Sequence, residues 1–250
     1  MTIIDSFIYY NEQELTELRL HELKDAIDHH VLAYGDITFR GNPNEYRFQI
    51  PEEFKSRVTL LEIKLPTNTD AWGRERYLRE AVSSYIQNRF FPFCRVLFSD
   101  ADEIVSAEAL GRMDDDEAIY NFELDEYYYN FGYPHGTTSA PYSCLVEDLY
   151  NAEDIRYRHL RKINREEKHI DNAGWHLSCF GDAEFISNKL KNFSHAELDT
   201  PEWTEVSNIQ RRIDGKIDII ERSGEHYAKE HTNALPQYVL NNKDKYKGWF

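Results

Sequence analysis

Four short, continuous apolar runs, each followed by a polar or helix-spaced stretch, restrict the fold of this chain more than any other feature. Residues 2–10 (TIIDSFIYY), 30–34, 58–63 (VTLLEI) and 94–98 (CRVLF) carry mostly aliphatic and aromatic side chains without polar alternation. That is how strands covered on both faces read. Behind the first run, Leu15, Leu18, Leu23 and Ile27 recur at helical spacing, and Asn11 with Glu14 predicts a capping box at the helix start. Gly41, Asn42 and Pro43 mark a loop. Residues 72–89 predict a long helix with Tyr77, Leu78, Val82, Tyr85 and Ile86 on its apolar face. Strand and helix in alternation predict an α/β sheet with parallel strands. Downstream, residues 118–131 alternate well enough for one or two strands, 175–180 predict another, and about 182–192 a helix. From Pro201 onward the pattern is polar and helical. The expected partition is one α/β domain over 1–200 with a helical carboxyl-terminal extension, 201–250, packed on it.

Charge and cysteine usage remove several function classes. The formal net charge is −16, so the clustered Lys and Arg that a nucleic-acid backbone or an anionic membrane demands are missing as a bulk property. Cys94, Cys144 and Cys179 are odd in number and widely spaced. They predict no disulfide framework and no CxxC metal site, and a reducing cytoplasm is the expected compartment. The start, MTIIDSFIYYNEQEL, lacks a basic segment and turns acidic after one short apolar run, which predicts neither a signal peptide nor a membrane anchor. No run approaches the length of a transmembrane segment.

Parallel α/β sheets bind ligands beyond the carboxyl ends of their strands, which directs attention to VLFSDADEIVS. Asp100 and Asp102 stand one residue apart just past the fourth apolar run, so a tight turn can aim both carboxylates at one point. Hard cations such as Mg²⁺ and Mn²⁺ favour such oxygens and can bridge a diphosphate. Glu103 is expected to hold the loop or a ribose hydroxyl. Asp114, Asp115 and Asp116 also satisfy Asp-x-Asp, but no strand precedes them, and they predict a solvated loop. A strand ending in Asp-x-Asp also opens the haloacid dehalogenase phosphohydrolases, with the first Asp as nucleophile. There the motif continues to Thr or Val and lies in the first strand, whereas here Ile104 follows and three strands come earlier.

Six blocks taken in order add a resemblance: IIDSFIYYNEQELTELRLHELKDAIDHHV, TFRGNP, AWGRERYLREAV, LFSDADEI, GWHLSCFG and KLKNFSHAE. Together they resemble glycosyltransferase family 17, the β-1,4-mannosyl-glycoprotein 4-β-N-acetylglucosaminyltransferase family, over roughly the first four-fifths of the chain. The resemblance implies a GT-A-type fold, a Rossmann-like mixed sheet flanked by helices. It implies inverting transfer from a UDP-sugar, with N-acetylglucosamine as the sugar, to a glycan acceptor, and Mn²⁺ or Mg²⁺ at the Asp-x-Asp. Tyr34 and Gly35 stand where the family has Glu and a small polar residue, and Val105 where it commonly has Pro. Animal members carry a membrane anchor, so the expected acceptor here is a bacterial or viral surface glycan. A protein that binds a nucleotide sugar or glycan without turnover is the alternative of a different class.

The resemblance also distributes roles. Asp102 is the expected metal ligand, with Asp100 assisting, and His195 either completes the metal shell or contacts the diphosphate. Inverting transfer needs a base for the acceptor hydroxyl. Glu184 is preferred, Asp182 is an alternative that equally predicts a helix cap, and Glu197 is a third. Trp175 and His176 are expected at the acceptor or donor, against a core role for Trp175. Arg76 and Arg79, three apart and so expected on one face, and Lys189 are expected to meet the donor's diphosphate.

Overall fold

The computed structural model describes residues 1–151, 164–220 and 234–250. The amino-terminal half runs β1 (Ile3–Ile8), α1 (Gln13–Glu22), β2 (His29–Gly35), β3 (Val58–Ile63), α2 (Ala71–Arg89) and β4 (Arg95–Phe98). It continues with β5 (Glu103–Val105), α3 (Ala107–Leu110), β6 (Ile119–Phe122), β7 (Leu124–Tyr128), β8 (Pro134–Thr138) and β9 (Tyr142–Leu145). Then come β10 (Glu167–Ile170), β11 (Gly174–Ser178), α4 (Ala183–Asn192), α5 (Pro201–Thr204), α6 (Val206–Gly215) and α7 (Gln237–Asn241).

Seven strands form the main sheet in the order β10-β6-β9-β4-β1-β2-β3. β4, β1, β2 and β3 are mutually parallel, and β9 enters antiparallel between β4 and β6. The class is the expected one, an α/β fold with a mixed sheet flanked by helices. Two features exceed the expectation of parallel strands. β9 reverses direction, and a second sheet of order β5-β11-β7-β8 stands beside the first. The 118–131 stretch therefore divides, β6 joining the main sheet and β7 the smaller one.

β1, β2 and β4 form where their apolar runs are because residues on both faces are buried, whereas the edge strand β3 is only part-buried beyond Val58. Ile4, Val31, Val96 and Phe98 pack with Leu78, Val82 and Ile86 of α2 in one buried cluster. Each such aliphatic side chain contributes about 2 kcal/mol when withdrawn from water. Asp70 starts α2 by accepting from the Gly73 amide at 2.7 Å, and Pro92 follows soon after its end. Tyr77 is not on the buried face; it is 45% exposed, because the helix turns its 78–82–86 row towards the sheet. The Asn11–Glu14 capping box does not form either. Helix α1 begins one residue later, with Glu12 at its N-cap position, and the Glu12 carboxylate accepts instead from the amides of Tyr10 and Asn11 at 3.2 and 3.0 Å.

Residues beyond 200 share cores with those before it. Ile209 and Ile219 cluster with Ile186 and Leu190 of α4, and Val239, Tyr246 and Trp249 with Leu15, Leu18 and Trp175. Among the described residues no helix is long and apolar enough to cross a membrane.

Candidate active site

Strand order sets the position of the site. The chain leaves β1 for β2 and β3 on one side, then returns through α2 to lay β4 on the other side of β1. The carboxyl ends of β1 and β4 therefore flank the switch point at which such sheets bind ligands. Glu12 stands at the first end, Asp100 and Asp102 at the second.

A buried arginine shapes the second end. Arg19 of α1 is fully buried and donates to the carbonyl oxygens of Asp100 and Glu103, both at 2.8 Å, and to Ser99 Oγ at 2.6 Å. Its other donors meet both oxygens of Asp5, also fully buried, at 2.5 and 2.9 Å. Glu103 closes the turn by accepting from the Asp100 amide at 2.7 Å, so it holds the loop. Beyond the turn, β5 pairs antiparallel with β11. Gly174 permits that pairing: at φ +143° a Cβ there would sit 2.1 Å from the Ile104 carbonyl oxygen. The Asp102 carbonyl oxygen accepts from the Leu177 amide at 2.8 Å, which ties the motif to the strand carrying His176.

Each carboxylate of the turn has a cation beside it. Asp100 Oδ1 is 2.8 Å from Arg79 of α2, which also pairs with Glu75 at 2.8 Å. Asp102 Oδ2 is 2.9 Å from Lys189 Nζ of α4, and the same ammonium lies 3.3 Å from Glu12 Oε1. Lys189 thus spans the two strand ends. Burial would raise the Asp102 pKa, but Lys189 and then His176 hold it below the ordinary carboxylate value. Burial likewise works against the charged form of Lys189, and Asp102 and Glu12 overcome it and raise its pKa well above the usual lysine value.

A row of acids and imidazoles runs from Asp102 into the smaller sheet. His176 Nε2 is 3.9 Å from Asp102 Oδ1, and its Nδ1 is 3.1 Å from Glu126 Oε1, off the direction of a straight hydrogen bond. Glu126 Oε2 meets His135 Nδ1 at 3.1 Å, and His135 Nε2 is 3.5 Å from Asp218. Burial pulls the His176 pKa down, yet Glu126 and Asp102 bring it up to about 9. Burial pushes Glu126 up, and His176 with His135 brings it down to about 2.

The remaining expected residues lie in varied places. Arg79 is buried and Arg76 exposed, so the two do not share an environment; the Glu75–Leu78–Val82 face that turns inward takes Arg79 with it. Asp182 is the N-cap of α4, its Oδ1 accepting from the Phe185 amide at 2.8 Å, and Glu184 is exposed on the first turn. His195 is half-exposed, with Nδ1 2.7 Å from Glu197 Oε1 and its ring edge-on to Trp72 at 4.6 Å. Its neighbour Ser194 donates to Glu75, the partner of Arg79. Trp175 is 6% exposed, and its Nε1 donates to the Ala234 carbonyl at 2.9 Å, which makes it core. Asp114 and Asp116 hold Lys168 at 2.8 and 2.6 Å. Sequence reasoning missed Glu12, Arg19, Glu126 and His135. Only Glu12 carried a usable signal, an acid just past the first buried strand.

No group of three or more His, Cys, Asp or Glu side chains among the described residues encloses a metal ion. The donor set nonetheless fits a hard divalent cation of the kind that takes one or two protein carboxylates and completes its shell with substrate phosphates and water. Asp102 and Asp100 would hold it.

The family model described as glycosyltransferase family 17 matches residues 1–249. Among curated proteins, the β-1,4-mannosyl-glycoprotein 4-β-N-acetylglucosaminyltransferases of Rattus norvegicus and Homo sapiens are each 24% identical to the chain. Each alignment covers 98% of this chain and 54% of the relative, so the chain spans about half the length of the curated relatives it matches. Among solved structures, a glycosyltransferase involved in glycosylation of the major capsid of PBCV-1 aligns with TM-score 0.34 and 11% identity, over 68% of this chain and 82% of that one.

Proposed function

Because the chain belongs to glycosyltransferase family 17, we propose that it transfers N-acetylglucosamine from a UDP-sugar to a glycan hydroxyl, with inversion and with Mn²⁺ or Mg²⁺ at Asp102. The observation that carries this reading is the convergence of Asp100, Asp102, Lys189 and Glu12 on the switch point between β1 and β4. In a chain of net charge −16, Arg79 and Lys189 present positive charge there beside paired carboxylates, which suits a diphosphate and its counter-cation. A bound divalent cation supplies charge neutralisation on the departing nucleotide.

The protein's own groups do the rest. Arg19 and Glu103 fix the Asp100–Asp102 turn before substrate arrives, so no reorganisation is needed during reaction. Lys189 faces the leaving diphosphate. In this reading the acceptor hydroxyl gives its proton to Glu184, exposed where α4 begins. The Asp182 carboxylate is engaged in the helix cap, and the Glu197 carboxylate is engaged by His195 at 2.7 Å, which lowers its pKa.

A thermal-shift screen over UDP-, GDP- and CMP-sugars, with and without Mn²⁺, tests the reading. Stabilisation by UDP-N-acetylglucosamine that needs both Mn²⁺ and Asp102 is the expected result. Equal responses in wild type and Asp102→Asn would remove Asp102 from the donor site.

A further inference from the structure

Asp102 has a nitrogen-bearing side chain on each side, and one of them is an ammonium group. Lys189 Nζ sits on Oδ2 at 2.9 Å and His176 Nε2 faces Oδ1 at 3.9 Å. A hard divalent cation bonds a carboxylate oxygen at roughly 2.0–2.6 Å, so at Oδ2 it arrives against the Lys189 ammonium and at Oδ1 beside the His176 ring. His176 has little room to withdraw. Its backbone lies in β11 between Glu103 and Glu126 of the flanking strands, and its second ring nitrogen faces the Glu126 carboxylate at 3.1 Å. Lys189 is free to move, because its ammonium rides on a flexible four-carbon stem and its side chain is 22% exposed. A second carboxylate already stands beside it, Glu12 Oε1 at 3.3 Å. Glu12 is itself fixed by the amides of Tyr10 and Asn11, on the other strand end of the crevice.

We infer that Lys189 is a mobile counter-ion: it occupies Asp102 in the resting enzyme, retreats towards Glu12 when a divalent cation takes Asp102, and from there meets the donor diphosphate. The inference rests on the metal reading given above. It has two consequences. The cation alone binds weakly, because it must displace an ammonium group. A diphosphate draws that ammonium away from Asp102, so nucleotide and cation strengthen each other's binding by more than their direct contact supplies, and reciprocally.

The experiment is Mn²⁺ binding to the full chain without nucleotide, followed by the paramagnetic resonance of free Mn²⁺. Lys189→Met binds Mn²⁺ about tenfold or more tightly than wild type, since tenfold corresponds to one modest ion-pair difference. Lys189→Arg, which keeps the charge, stays near wild type, and Asp102→Asn abolishes binding. If wild-type binding depends on Asp102 but Lys189→Met binds equally or less tightly, the exchange is overturned and the metal reading stands. If neither wild type nor Lys189→Met binds Mn²⁺, even with UDP present, the metal reading falls and takes the inference with it. Should Lys189→Met not fold, acetylation of wild-type Lys189 followed by mass spectrometry gives the same answer. The rate rises with Mn²⁺ alone and falls again when UDP is added; a rate indifferent to Mn²⁺ overturns the exchange.

Discussion

Replacing Arg19 by methionine isolates how the Asp-x-Asp turn is held. Arg19 makes five hydrogen bonds from a fully buried position: two to Asp5, one to Ser99 Oγ and one each to the carbonyls of Asp100 and Glu103. Methionine replaces the unbranched stem with a flexible apolar chain, so the cavity left is smaller than alanine would leave. What remains is the charge. Asp5 would be left buried with only His30 Nδ1, at 2.9 Å, beside it. Removing one partner of a buried pair costs about 3–5 kcal/mol. For a chain of this size that lowers Tm by about 6–20 °C. The assay is urea and thermal unfolding followed by circular dichroism. Asp5→Asn combined with Arg19→Met leaves no unpaired charge and should regain the part of the loss that the Asp5 charge causes, but not the part from the donors lost at Ser99 Oγ and the Asp100 and Glu103 carbonyls. Acid stability gives a second readout. Burial would raise the Asp5 pKa, but Arg19 and His30 bring it from 3.8 down to about 2. The folded value is depressed, so this stabilisation is complete above about pH 4 and is lost as pH falls towards 2; the single variant should flatten that limb. A loss below about 1 kcal/mol, or a double variant no better than the single one, would refute the reasoning.

Three further outcomes follow from the geometry. His176, raised to about 9, contributes stability that is complete below about pH 6.5 and lost as pH rises through 9; Glu126→Gln should bring its NMR titration midpoint back towards 6.5, and an unmoved midpoint would remove Glu126 as the cause. Asp182→Ala should cost about 1 kcal/mol through the lost cap, whereas Asp182→Asn keeps both stability and UDP release. A collapse of turnover in the Asn variant would instead make Asp182 the base. Trp175→Phe should lose about 1–2 kcal/mol with its hydrogen bond to Ala234 while leaving the acceptor KM unchanged; a raised KM at unchanged stability would return Trp175 to the acceptor platform.

The parts of the fold legible in the sequence were those whose burial is two-sided and local. β1, β2 and β4 read as mostly apolar runs because both faces of those strands are buried, and α2 read as a helix because Leu78, Val82 and Ile86 lie four apart. β8 (PHGTT) is only part-buried and has no alternation to betray it. β9 is short, and its antiparallel seat between β4 and β6 is set by long-range pairing alone. The site divides in the same way. Asp100 and Asp102 were visible because a strand ends just before them. Arg19 is a charged residue between Leu18 and Leu20 whose burial no local spacing marks, and Glu126 and His135 belong to a second sheet that local pattern did not announce. Arg76 and Arg79 show the limit of spacing arguments: three residues apart on a helix, one is buried on Asp100 and the other is exposed.

The measurement that bears most directly on the central claim is UDP release from UDP-N-acetylglucosamine with Mn²⁺, for wild type and Asp102→Asn side by side. The account predicts Mn²⁺-dependent release by wild type and a loss of about 100-fold or more in the variant, the scale on which removal of a charge-stabilising group acts. Release that continues at the wild-type rate in Asp102→Asn, or that ignores the divalent cation in both, would contradict it.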